Sequence, residues 1–139
     1  IGKIELPKSV LNKTACLSEE EIKSVNEHPI HSAHILEPLS NTGNLIDYVI
    51  HHHERYDGKG YPDGLKGEEI SIGARILCVV DCFDAMVSER PYRRSMTIEE
   101  AIIELKRCSG SQFDPKIVQA FIDAMRNKMS VKYDYKIGV

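Results

Sequence analysis

The apolar residues of this chain recur at helical spacing almost throughout, and one long segment interrupts that pattern. Between Glu54 and Gly73, a stretch of about 20 residues, neither a helical nor an alternating period can be traced. Irregular segments of this length are uncommon inside a compact domain and are frequently functional. Because no alternating strands can be placed between the helical stretches, the sequence predicts an all-α fold with one long loop. Residues that break regular structure fill this loop, namely Gly58, Gly60, Pro62, Gly64 and Gly67.

The starts of four predicted helices are marked by residues that suit a helix N-terminus. Two of these starts are capping boxes, in which a hydroxyl residue and a glutamate three positions later satisfy free backbone N–H groups. The other two use proline in the first helical turn. Two further helices are predicted from about Asn44 to His53 and from Ala74 to Ser88, the second being strongly apolar and buried on most sides. The four marked starts are Ser18 with Glu21, Pro29, Thr97 with Glu100, and Asp114 with Pro115.

Composition and charge exclude several classes of protein. A net charge of −3 over 139 residues gives no general attraction for a nucleic acid polymer. No apolar run approaches the roughly 20 residues needed to span a bilayer, and no signal peptide is visible, so we expect no membrane contact and a cytoplasmic location. The cysteines form no C-x-x-C pair and are too sparse for a disulfide scaffold. We therefore expect reduced thiols at Cys16, Cys78, Cys82 and Cys108.

The histidines occur in two clusters, one around His28, His31 and His34 and one at His51–His53. Neutral imidazole is the commonest metal ligand in proteins near neutral pH. A lone histidine is more often a surface or core residue than a ligand. A triplet that ends a helix and leads into a glycine-rich loop favours a functional role. Neighbouring histidines on a helix point about 100° apart, so two of them can serve two different groups.

A carboxylate interrupts the most apolar stretch of the chain. Asp81 lies within the run Ile76–Phe83, and Asp84 follows three residues later, near the same helix face. An unpaired buried carboxylate is costly, so a metal ion or an arginine is its natural partner, and the two are weighted equally. Histidine with carboxylate suits iron, manganese, zinc or nickel. Cys78 and Cys82 could add zinc ligands, but small thiols packing a core helix are the favoured interpretation.

The string from His52 to Leu65, which reads HHERYDGKGYPDGL, resembles the signature of the HD-GYP family. The triplet Gly60-Tyr61-Pro62 gives that family half of its name. The resemblance extends over about residues 1–125. Its further matches are Ile1–Ile4, His28-Pro29, Ala74-Arg75-Ile76, Asp81 with Asp84-Ala85, Arg90–Arg93 and Gln112–Pro115.

The resemblance implies an HD-superfamily bundle of about five or six helices and a metal-dependent phosphodiesterase activity. The expected substrate is cyclic di-GMP, hydrolysed to the linear dinucleotide, to GMP or to both, in bacterial second-messenger signalling. The expected centre holds two or three iron or manganese ions, at which the phosphodiester is cleaved in line. By position, Lys3 matches a catalytic lysine on the scissile phosphate, where Arg93 would also neutralise charge. The resemblance assigns metal binding to His28, His52, His53 and Asp81, and substrate binding to Gly60, Tyr61, Pro62, Asp84, Arg90 and Arg93.

One departure from the family pattern concerns the His-Asp dipeptide, which should directly precede Ile1. We therefore expect residues 1–139 to be a partial HD-GYP domain without its upstream helices and with an incomplete ligand set. Weak metal binding and little or no catalytic activity should follow. Exposure of the apolar helix Ala74–Ser88 should in turn favour a homodimer or an exchange of elements between chains.

Two other functions stay open. One is an HD-fold phosphohydrolase that acts on a different nucleotide. The other is a non-catalytic interaction module, in which the surface of the loop docks a partner such as a cyclic di-GMP synthase domain. In the leading interpretation the catalytic domain is attached to a sensor or receiver domain.

Overall fold

The computed structural model of the chain describes residues 10, 13, 16–39, 43–89 and 94–134, with side chains as far as residue 127. Within these ranges the predicted all-α architecture is confirmed, and the long loop contains only a short 3₁₀ turn at Gly67–Glu69. Six α-helices have both ends within the described ranges, namely α1 (Glu19–Asn26), α2 (His28–Leu36), α3 (Leu45–His51), α4 (Ile72–Val87), α5 (Ile98–Arg107) and α6 (Pro115–Asp134).

The helix starts predicted from the sequence are confirmed by their hydrogen bonds. Ser18 Oγ accepts the N–H of Glu21 at 3.2 Å, and Glu21 accepts the N–H of Ser18 at 2.7 Å. The same reciprocal pair forms between Thr97 and Glu100 at the start of α5. Proline lies in the first turn of α2, and Asp114 accepts a backbone N–H in the first turn of α6. These signals are local, which is why the sequence alone could locate them.

Helix α3 ends two residues earlier than predicted, so His52 and His53 lie in a turn and not on the helix. The Nδ1 atom of His52 contacts the carbonyl oxygen of Val49 at 2.6 Å. A continuing helix would use that oxygen to accept the N–H of residue 53. The side chain of His52 therefore occupies the acceptor that the next helical turn requires.

Helix α4 is the centre of the fold, with α3 on one side and α5 and α6 on the other. Gly73 allows the close approach of α3, because a Cβ atom at this position would lie 2.4 Å from the Tyr48 ring. On the other side, Arg75 and Asp114 form a buried ion pair at 2.5 Å that joins α4 to α6. The core between these helices consists of Cys78, Val79, Met86, Ala101, Leu105, Phe113, Val118 and Ile122.

One face of α4 is open to solvent, so the helix is not buried on most sides, and the expected exposure of apolar residues along it is confirmed. Ile72 is 58% exposed, and Ile76 and Val80 are each 43% exposed. An apolar groove of about 230 Å³ runs beside them and is partly lined by Phe121 of α6. Pairing of this face with a second chain stays a prediction. Among the helices of the described ranges, none combines the length and the apolar character needed to cross a bilayer.

Candidate metal centre

Three histidines from two separate segments meet at one place. His28 begins α2, while His52 and His53 form the turn after α3. One ring nitrogen of each lies within 4.8 Å of the others. The ring centroids are 4.0 Å apart for His52 and His53, 4.9 Å for His28 and His53, and 5.8 Å for His28 and His52. Three imidazoles at such short range form a donor set that suits a transition metal.

Backbone carbonyls orient two of these rings. Nδ1 of His28 lies 2.6 Å from the oxygen of Val25, and Nδ1 of His52 lies 2.6 Å from the oxygen of Val49. Because a carbonyl oxygen only accepts, each Nδ1 carries the proton, and each Nε2 is left as the basic nitrogen. Hydrogen bonds of this kind hold metal-binding histidines in position in many proteins.

The ring nitrogens of His28 and His53 lie within hydrogen-bond distance of each other. Their Nε2 atoms lie 3.1 Å apart, and Nε2 of His28 is already the basic nitrogen of its ring. Two basic nitrogens at this distance repel each other unless a proton or a cation lies between them. The pair can therefore be held either by a proton on His53 or by a metal ion that both rings ligate.

Asp81 and Asp84 lie on the open face of α4 and line the same cavity of about 440 Å³ as His28 and His52. The carboxylate of Asp81 is not among the ligand atoms that converge within 4.8 Å. Within the described ranges, neither aspartate takes part in an ion pair. Arg94 lines a different pocket beside Met96, so it does not supply the arginine partner that the sequence left open.

The glycine-rich loop folds back over this centre and brings Tyr61 against His53. The two rings are stacked, with centroids 5.1 Å apart and planes inclined by 27°. Burial, together with the nearby charge of Asp81, raises the pKa of Tyr61 to about 12. The phenol therefore keeps its proton at neutral pH and can act as a hydrogen-bond donor.

Glu54 is a residue of the site that the sequence interpretation missed. Its side chain is buried, with 2% of the residue exposed. Its Oε1 atom accepts the backbone N–H of Asp63 at 2.7 Å and that of Gly64 at 3.0 Å. The available signal was a carboxylate placed between the histidine pair and the glycine-rich loop.

His51, the first histidine of the triplet, is not among the converging ligand atoms but contacts the loop. Its Nδ1 lies 2.8 Å from Asp47 and its Nε2 lies 3.0 Å from Asp63, so it connects α3 to the loop. Burial disfavours the charged ring, but the hydrogen bonds to Asp63 and Asp47 outweigh burial and raise the pKa of His51.

The outer part of the loop is attached to the connection between α5 and α6. The backbone N–H groups of Tyr56 and Asp57 donate to the carbonyls of Gln112 and Ser111, at 3.1 and 2.8 Å. Arg55 forms a two-point contact with Asp57 at 3.0 and 2.8 Å. The hydrogen bonds from Arg55 lower the pKa of Asp57 to about 2.

The cysteines next to Asp81 serve packing. All four cysteines are free thiols, as expected, although Cys16 is exposed and only Cys78 is buried. The Cys78 thiol faces the carbonyl oxygen of Glu54 at 3.7 Å, and Gln112 contacts the Cys82 sulfur at 3.5 Å. Within the described part of the chain, the group of converging ligands contains histidines and no cysteine. Zinc ligation by Cys78 and Cys82 therefore has no support in the described part of the chain.

Three residues that the sequence predicted for the site lie outside the described residues, namely Lys3, Arg90 and Arg93. Of the two remaining histidines, His34 is exposed and His31 is partly buried.

Both the sequence and the fold of this chain resemble those of known proteins. A family model described as "HD domain" matches residues 1–117. The cyclic di-GMP phosphodiesterase response regulator RpfG of Xanthomonas campestris is 44% identical over 126 residues, which cover 88% of this chain and 33% of RpfG. A Thermotoga maritima cyclic di-GMP phosphodiesterase is 42% identical, with 88% and 34% covered. The 3'3'-cGAMP-specific phosphodiesterase 3 of Vibrio cholerae is 37% identical, with 90% and 27% covered.

The fold resembles the crystal structure of a cyclic GMP-AMP specific phosphodiesterase of Vibrio cholerae, with a TM-score of 0.67 and 22% identity. The match covers 86% of this chain and 31% of that one. The chain thus spans about a third of the length of the relatives it matches.

Proposed function

The chain belongs to the HD-domain family, in its HD-GYP branch, and from that premise we propose that it forms part of a metal-dependent phosphodiesterase for cyclic di-GMP. The convergence of His28, His52 and His53 carries this proposal, because the three ring nitrogens offer a ready donor set. Bound there, a divalent metal would supply Lewis-acid polarisation of a phosphodiester.

The chain's own residues have distinct roles in this proposal. His28, His52 and His53 would hold the metal, with Asp81 joining them from α4. Histidine with carboxylate suits iron or manganese among other metals, and by resemblance we propose a centre of two or three iron or manganese ions. The loop residues Gly60, Tyr61 and Pro62 would border the substrate.

The remaining residues would bind the nucleotide phosphates and bases. The protonated phenol of Tyr61 would donate to an acceptor on the substrate, while its inner face stays against His53. Asp84 would accept hydrogen bonds from a base at the rim of the cavity. By resemblance, Lys3, Arg90 and Arg93 would neutralise phosphate charge.

The proposal is tested by metal titration followed by nucleotide binding. We expect Mn²⁺ to bind the chain with modest affinity, and cyclic di-GMP to bind more tightly when Mn²⁺ is present. Calorimetry on the wild type and on His52→Ala measures both effects. Equal nucleotide binding with and without metal would contradict a metal-dependent site and would support a non-catalytic interaction surface.

A second substrate has support from the comparisons, because relatives named as 3'3'-cGAMP-specific are 32 to 37% identical to this chain. A competition between cyclic di-GMP and 3'3'-cGAMP at the metal-loaded site distinguishes the two. Tighter binding of 3'3'-cGAMP would indicate that 3'3'-cGAMP, and not cyclic di-GMP, is the substrate.

A further inference from the structure

We propose that Glu54 is a positioning residue that sets the shape of the loop around Tyr61, and that it does so through the reach of its side chain and not through metal ligation. The inference rests on the proposed function only for what the loop binds. The arrangement itself is a property of the loop and can be tested without substrate.

The first support is the pairing of one buried oxygen with two loop amides. Oε1 of Glu54 accepts the N–H groups of Asp63 and Gly64, and the two bonds cross nine and ten positions of sequence. The other oxygen, Oε2, is buried and makes no hydrogen bond with the described residues. The contribution of the carboxylate therefore passes through Oε1.

The second support is a backbone contact at Gly60, the residue before Tyr61, whereas the hydrogen-bonded amides belong to residues after it. A Cβ atom at Gly60 would lie 2.5 Å from Cα of Glu54 and 2.4 Å from the backbone nitrogen of Arg55. The loop thus crosses directly over the backbone of Glu54 at residue 60 and returns to its side chain at residues 63 and 64. Tyr61 is enclosed between these two attachments.

The third support is that Glu54 is not among the ligand atoms that converge in the described residues. It directly follows His53, yet the ligand atoms that converge in the described residues come from His28, His52 and His53. Its effect on the site therefore runs through Tyr61, whose ring lies on His53. A displaced loop would remove Tyr61 from that ring and from the rim of the site.

Two substitutions distinguish the effect of the length of the Glu54 side chain from the effect of its charge. Glu54→Gln keeps the length of the side chain and the acceptor oxygen, but removes the charge. Glu54→Asp keeps the charge but is shorter by one methylene, so its oxygen no longer reaches the amides of Asp63 and Gly64. A role in positioning predicts that Gln preserves the loop and Asp does not. A role in metal ligation predicts instead that both amides stay protected in the two variants while Mn²⁺ binding weakens.

The measurement is amide hydrogen exchange by NMR at the N–H groups of Asp63 and Gly64. We expect slow exchange in the wild type and in Glu54→Gln, and exchange faster by about tenfold or more in Glu54→Asp, the factor for losing roughly 1.4 kcal/mol. The chemical shift of the Tyr61 ring, which reports its position on His53, should change only in Glu54→Asp.

Glu69 provides the matched control, because it is an exposed carboxylate of the same loop that accepts the N–H of Lys66 at 2.9 Å. Glu69→Asp and Glu69→Gln should leave the amides of Asp63 and Gly64 unchanged. Should Glu54→Asp fail to fold, the wild type still decides the matter. Unprotected Asp63 and Gly64 amides in the wild type would overturn the proposal.

A Mn²⁺ titration of the same samples keeps the two proposals apart. If the wild type binds no metal but protects both amides, and Glu54→Asp loses that protection, the proposed function fails and the role of Glu54 stands. If metal binds and Glu54→Asp leaves the amides protected, the role of Glu54 fails alone.

Discussion

Nε2 of His28 and Nε2 of His53 lie 3.1 Å apart, although 25 positions of sequence separate the two residues. The first prediction follows from this contact. His28→Ala and His53→Ala should each weaken Mn²⁺ binding by at least about tenfold, because each removes one ring nitrogen from the converging set. Isothermal titration calorimetry measures the change. His34→Ala, on the exposed side of the same helix α2, is the control and should bind as the wild type does.

The second prediction concerns the close approach at Gly60. Gly60→Ala should destabilise the fold by about 1–3 kcal/mol, because the methyl group would meet the backbone of Glu54 and Arg55. The loop should move, and Mn²⁺ binding should weaken with it. Gly67→Ala has open space but a φ of +61°, so it should cost about 1–2 kcal/mol without affecting Mn²⁺ binding. Equal metal affinity in both variants would contradict this account.

The third prediction is a pH dependence at Asp57. Its pKa in the folded chain is about 2, below the ordinary carboxyl value, so the stabilising contact with Arg55 is fully present above about pH 4. The contact is lost as the pH falls from about 4 towards 2. Titration of the Asp57 carboxyl carbon by NMR measures this pKa. Arg55→Gln should return it to the ordinary range, and an unchanged pKa in that variant would rule out Arg55 as the cause.

The fourth prediction concerns the buried ion pair of Arg75 and Asp114. Asp114→Ala should reduce the free energy of unfolding by about 3–5 kcal/mol, because it leaves the charge of Arg75 buried without its partner. Urea denaturation gives the value. Glu68→Ala breaks the exposed pair with Lys116 and should change stability by less than about 1 kcal/mol. Similar losses in both variants would show that burial does not distinguish the two pairs.

The parts of the fold that the sequence could predict depend on neighbouring residues. The capping pair of Ser18 and Glu21 is complete within four positions, so the start of α1 was readable. The histidine pair at positions 52 and 53 was recognisable from its place in a motif. The end of α3 was not, because it depends on a bond from the His52 ring to the Val49 carbonyl.

The parts that could not be predicted depend on how the loop folds back. Glu54 bonds to amides nine and ten positions away, and no local pattern encodes that return. His51 shows the same limitation, since its second partner, Asp63, is twelve positions away. Exposure of α4 was expected, but the side that is open was not, because apolar character alone does not reveal which sides of a helix are covered.

The histidine centre joins two pieces of chain that local structure alone would not hold together. One donor begins α2 and the other two follow α3, so any cation held there acts as a cross-link between the two helices. Occupancy and folding are then thermodynamically linked, and a hundredfold excess of free metal over its dissociation constant adds about 2.7 kcal/mol of stability. The melting temperature of the chain would therefore rise with the free metal concentration.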